Sequence, residues 1–133
     1  MKRMPELFRG KPEEASKIFN ETVIQFKHTS FILDRSYPSS LVYSKVYKRK
    51  ADLSYVEEIE RELNPLVVIL SADIKELLRR RRDEIITPKN LKKIAVEYRT
   101  LASSRGYKFI NTSYLNPKGV CKEILRTIAS VGV

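Results

Sequence analysis

The sequence predicts an α/β fold: a parallel sheet flanked by helices. Three observations predict it. Residues 66–70, Leu-Val-Val-Ile-Leu, form a continuous apolar run, the pattern of a strand covered on both faces. Two further short runs, 31–34 and 107–111, also read as strands. Between and after these runs lie longer stretches with apolar residues three and four apart, the helical period. The order strand, helices, strand, helices, strand, helix points to parallel strands joined by helical crossovers. A length of 133 residues fits one domain with one core.

Residues 1–12 hold Pro5, Gly10, Pro12 and four basic side chains, and read as irregular. From Pro12 to Lys27, the positions Ala15, Ile18, Phe19, Val23 and Phe26 make one helical face. Pro12 suits a first turn, and Glu13 and Glu14 complement the positive end of the helix dipole. His28-Thr29-Ser30 closes that helix, and Phe31-Ile32-Leu33-Asp34 is the first expected strand. A helix is expected over 39–48, ending in Lys45, Lys48, Arg49 and Lys50. Ser54 and Glu57 have the spacing of a capping box, which opens a short helix running to Leu63.

Asn64-Pro65 breaks that helix ahead of the central strand. Asp73 is the expected cap of the next helix, with Ile74, Leu77 and Leu78 as its buried stripe. Thr87-Pro88 is a strong helix start, followed by Leu91, Ile94, Ala95, Tyr98, Leu101 and Ala102 on one face. Gly106 stops this helix before the third strand. Asn116-Pro117 starts the last helix, with Val120, Cys121, Ile124, Leu125, Ile128 and Val131 expected inward. There is no internal repeat, low-complexity tract or linker.

Charge and cysteine content narrow the function. Lys and Arg number 26 against 16 Asp and Glu, a net charge of +10, which favours polyanionic partners: nucleotides, nucleic acid or an acidic protein surface. The single cysteine, Cys121, excludes an internal disulfide framework and suits a reducing, cytoplasmic setting. It reads as a core thiol. No apolar run approaches the length of a membrane span. The basic start Met1-Lys2-Arg3-Met4-Pro5 has no apolar stretch after it and does not read as a secretory signal. No His/Cys cluster suggests zinc, and His28, the only histidine, reads as a helix-end residue.

The most informative segment is Phe31-Ile32-Leu33-Asp34-Arg35-Ser36-Tyr37-Pro38-Ser39-Ser40-Leu41-Val42-Tyr43. As a strand it delivers Asp34 and Arg35 to its carboxyl end, where open α/β sheets bind ligands. A plain strand-end ion pair is the alternative. The segment resembles the Asp-Arg motif of the thymidylate kinase and deoxynucleoside kinase family of P-loop proteins. In that pattern an apolar strand is followed by Asp-Arg, a Ser a few residues on, and an Ala/Val-Tyr pair on a helix. Here these are Asp34-Arg35-Ser36, Ser39 or Ser40, and Val42-Tyr43. The resemblance runs in order over residues 13–131.

That resemblance implies phosphoryl transfer from ATP, with Mg²⁺, to a dTMP-like nucleotide. Arg35 would orient the acceptor, with Ser36, Ser39, Ser40 and Tyr43 as further contacts. Asp34 would position the metal through water or assist the acceptor oxygen, so Asp34 and Arg35 are catalytic candidates too. The run Arg79-Arg80-Arg81-Arg82 falls where the family has its lid, with Arg79 and Arg82 as the catalytic pair and 83–87 as the mobile turn. Asn111, Thr112 and Ser113 fall where the family contacts adenine. Each has a plainer reading: the serines as helix caps, Tyr43 and Tyr47 as core, the arginines as a solvated helix end, and 111–113 as a turn.

The chain also departs from the family. Its only Gly-Lys is Gly10-Lys11, Pro5 stands where the loop's first glycine belongs, and Pro12 replaces the Ser/Thr. A phosphate-cradling loop works through backbone N–H groups, and proline removes one. The chain is therefore expected to be inactive or weak alone. Its three strands match the family's third, fourth and fifth. The missing first strand leaves a gap that either closes directly or is filled by a second chain carrying the P-loop. A homodimer is another expected assembly. The alternative function is a non-catalytic module whose cations at 45–50 and 79–82 grip nucleic-acid backbone without sequence preference.

Overall fold

The computed structural model describes residues 32–50, 53–81 and 85–131. Expected features at 1–31, including the first helix, Gly10-Lys11 and His28, lie outside the described residues, as does Arg82. Two compact units divide at Pro65: Met1–Pro65 and Leu66–Val133.

In the first unit, α1 spans Tyr37–Val46 and α2 spans Tyr55–Leu63. Pro38 falls in the first turn of α1, where its missing N–H costs nothing. Tyr37, Pro38 and Val42 are its buried residues, and Tyr55, Val56 and Ile59 those of α2. The Tyr37 hydroxyl donates to Glu60 Oε1 at 3.1 Å, tying α1 to α2. Ser54 has helical backbone angles and its side chain does not cap α2, so the expected capping box is not formed. Asn64, at φ 43°, closes α2 in the left-handed region that asparagine tolerates.

Of the expected strand Phe31–Asp34, Phe31 lies outside the described residues and Ile32 to Asp34 are not in a strand. Ile32 and Leu33 are irregular, Asp34 and Arg35 form a bend, and Ile32 is 89% exposed. A strand needs a partner for its backbone groups, and the only described sheet pairs two other segments.

The second unit carries that sheet. β1 (Val68–Ser71) and β2 (Lys108–Asn111) are parallel neighbours in the register Val68↔Lys108 to Ser71↔Asn111. Among the described residues the parallel α/β expectation therefore holds for two strands. Between them run α3 (Ile74–Arg80) and α4 (Pro88–Arg105), and α5 (Pro117–Ser130) follows β2. The long crossover is what a parallel pair requires. α4 packs on both strands and on α3, while α5 packs on β2.

The core of this unit is Ile69, Ala72, Ile94, Ala95, Ala102 and Ile110, joined by Thr112 and Thr127. Thr87 caps α4 by accepting from Asn90 N at 3.2 Å, and Asn116 caps α5 by accepting from Gly119 N at 2.7 Å. Gly106, at φ 70°, ends α4. Three expectations of burial fail. Leu70 is 47% exposed, so β1 is not covered on both faces. No residue of α3 is fully buried, because seven residues make too short a stripe. Cys121 is exposed and Leu125 is 60% exposed, so Cys121 is not a core thiol.

Candidate functional site

The parallel pair ends at Ser71 and Asn111, and the two chains then turn on each other. Thr112 N donates to Ser71 O at 2.7 Å, and the Thr112 hydroxyl donates to the same oxygen at 3.0 Å. Asp73 N donates to Ser113 Oγ at 2.7 Å, and Asn111 Nδ2 donates to Asp73 Oδ1 at 2.9 Å. Ser113 N donates back to Asn111 Oδ1 at 2.9 Å. Asp73 makes no side-chain cap for α3, since its carboxylate accepts from Asn111 instead.

Arg80 reaches this edge from the end of α3. Its Nη1 donates to Thr112 Oγ1 at 3.0 Å and its Nη2 to Thr112 O at 2.9 Å. Its Nε donates to Glu76 Oε1 at 2.9 Å. Glu76 also takes both a 2.9 Å bond from Arg79 Nε and a short one from Arg79 Nη2. The Arg79 guanidinium, against an opposing effect of desolvation and with help from Arg80, holds the Glu76 carboxyl down at about 2. The same pairing pushes Arg79 upward.

Beside the edge lies a pocket of about 220 Å³ whose lining includes Ser71, Asp73, Ile74, Ala95, Val96 and Arg99. The Arg99 guanidinium lies 4.9 Å from the Phe109 ring centroid, a cation–π contact from α4 to β2. The edge thus offers hydrogen-bonding groups, a cation and an adjoining hollow at the carboxyl ends of parallel strands, where ligands of α/β sheets sit.

No family model matches the chain, and no curated protein or solved structure matches it either. Its function rests on its own residues.

The structure gathers some of the singled-out residues and leaves others apart. Asn111, Thr112 and Ser113 come together with Asp73 and Arg80. Thr112 is buried and bonded, so it shapes the edge rather than meeting a ligand. Arg79 is exposed and paired with Glu76. Within the first unit, Asp34 and Arg35 precede α1 at a bend, Arg35 with φ 70°. Ser36 is the N-terminal flanking residue of α1 but its side chain does not cap it. Ser39 and Ser40 lie in the first turn and are half-buried. Tyr43 stacks on Tyr47, their ring centroids 6.0 Å apart.

For Mg²⁺, Asp34 supplies one exposed carboxylate. Among the described residues no group of three or more His, Cys, Asp or Glu converges. Mg²⁺ bound with a nucleotide draws most of its ligands from phosphates and water, so one carboxylate is compatible with it as a minor ligand. Among the described residues no helix is long and apolar enough to cross a membrane.

Sequence reasoning missed Arg80, Asp73 as an edge residue, and Arg99. The spacing of Glu76 three and four residues before Arg79 and Arg80 was the available signal.

Proposed function

We propose that this chain is a nucleotide-binding domain on the plan of the dTMP-type nucleotide kinases, without phosphoryl transfer of its own. The observation that carries this reading is the carboxyl edge of β1 and β2, where Asp73, Asn111, Ser113 and Arg80 converge beside a pocket. The parallel adjacency of β1 and β2, with an arginine-bearing helix between them, supports it.

In this reading the polar atoms of Asn111 and Ser113 face the base of a donor nucleotide such as ATP. Arg35 binds the acceptor phosphate, with Ser36, Ser39, Ser40 and Tyr43 around it. Asp34 is the protein's oxygen ligand for Mg²⁺, which offsets phosphate charge when bound. Arg79 must leave Glu76 before it can meet a phosphate, and the sequence carries no Gly-x-x-x-x-Gly-Lys-Ser/Thr motif for the donor phosphates. Catalysis of this type is mostly positioning and charge stabilisation, so the chain retains binding and loses transfer.

Calorimetry of dTMP and of ATP with Mg²⁺, on the chain and its Arg35→Ala variant, tests this. Saturable dTMP binding that the variant loses, with feeble ATP binding, is the expected result. A folded chain that binds neither nucleotide overturns the reading.

A further inference from the structure

The end of α1 is built as a cation turn folded against an aromatic pair. Tyr43 and Tyr47 lie four residues apart, on one helix face, and their rings stack with only 14° between planes. Past Tyr47 the chain closes in a Schellman turn. Arg49 N donates to Ser44 O at 2.9 Å, Lys48 N donates to Lys45 O at 3.3 Å, and Lys48 sits at φ 52°. This turn folds the chain back so that the Arg49 guanidinium lies 5.2 Å from the Tyr47 ring centroid. Lys48, Arg49 and Lys50 are all exposed. Among the described residues none of these three makes an ion pair.

We propose that this turn binds single-stranded nucleic acid. Lys48, Arg49 and Lys50 meet successive phosphates, and an unstacked base lies against the Tyr43–Tyr47–Arg49 stack. Cations alone would serve any polyanion. The layered rings and guanidinium add a surface for a flat base, the combination used by sequence-tolerant single-strand binders. A duplex keeps its bases inside and forgoes that contact. The net charge of +10 favours the encounter. This turn shares Tyr43 with the acceptor contacts proposed above, but Tyr47, Lys48, Arg49 and Lys50 take no part in that reading, so variants at these four positions test the single-strand proposal alone.

The test is fluorescence anisotropy of a labelled oligo(dT) strand in low salt, with circular dichroism to confirm folding of each variant. Wild type should bind saturably and should bind the matching duplex less tightly. Tyr47→Ala should weaken binding about tenfold while keeping the salt dependence, and Tyr47→Phe should bind as wild type. Replacing Lys48, Arg49 and Lys50 by Ala should flatten the slope of log affinity against log salt by about 2, at ~0.7 per lost phosphate contact. Absence of binding overturns the proposal. So does a folded Tyr47→Ala variant that binds like wild type. Competition by polyglutamate equal to that by oligo(dT), charge for charge, also overturns it and points to an acidic protein partner.

Discussion

The Thr112 hydroxyl is engaged twice, donating to Ser71 O and accepting from Arg80 Nη1. It is buried, so its removal strands a guanidinium bond that water cannot easily replace. Thr112→Val, which keeps the shape, should cost about 1–3 kcal/mol. A lower urea midpoint with an unchanged slope would show this, and an unchanged midpoint would refute it. Glu76 gives a second residue-scale prediction. Its carboxyl is held at about 2 in the folded chain, against an ordinary value of 4.5. Between those values unfolding takes up a proton, so acid favours unfolding. The stabilisation is fully present above pH 4.5 and is lost as pH falls toward 2. Glu76→Gln should therefore be less stable than wild type at neutral pH, and its stability should fall less steeply over that window. Thermal melts across pH 2–6 on both proteins measure it; parallel profiles would remove Glu76 as the cause. Of these residues the strand-end run 111–113 was legible, because strand ends follow from the apolar pattern. Arg80 was not. On a continuous helix four consecutive arginines would project about 100° apart, and nothing in the sequence selects Arg80 as the one that bonds Thr112.

At the scale of elements, helix ends carry the physics that local sequence encodes best. Thr87-Pro88, Gly106 and Asn116-Pro117 mark the ends of α4 and the start of α5 where the structure has them. Each is a local choice of side chain or backbone freedom and needs no distant partner. Two left-handed helix ends give opposite predictions from one cause. Lys48 holds φ 52° with a Cβ that this region disfavours, whereas Gly106 holds φ 70° without one. Lys48→Gly should stabilise α1 by about 1 kcal/mol, and Gly106→Ala should destabilise α4 by about 1 kcal/mol. No atom lies within 4 Å of a Cβ at Gly106, so the cost there is backbone strain and not a clash. Chemical denaturation of both variants checks the pair, and shifts of the same sign would contradict the shared cause. The elements that were not legible depend on neighbours. The segment before Asp34 has strand composition but no described strand beside it. The helical period placed Cys121 and Leu125 inward on α5, but α5 packs on β2 and leaves both exposed.

At the scale of the whole molecule, the balance of charge and the absence of a phosphate loop act together. A net charge of +10 favours polyanionic partners, yet attraction does not position a transferring phosphoryl group. Positioning needs a ring of backbone donors around the donor phosphates. Pro5 and Pro12 flank the only Gly-Lys pair and remove N–H groups such a ring requires. Arg79, the cation expected to steady the transfer, is tied to Glu76. On the proposed reading, binding without turnover is the expected outcome, since Arg79 is held by Glu76 and the sequence carries no P-loop motif. Incubation of the purified chain with dTMP, ATP and Mg²⁺ should give no diphosphate above a no-protein control over hours. Turnover of about 1–100 s⁻¹, the ordinary range of kinases, would overturn this and would mean that donors other than a glycine loop hold the phosphates. Adding Glu76→Gln, which frees Arg79, should leave turnover absent, because a released arginine neutralises charge but does not replace the missing cradle.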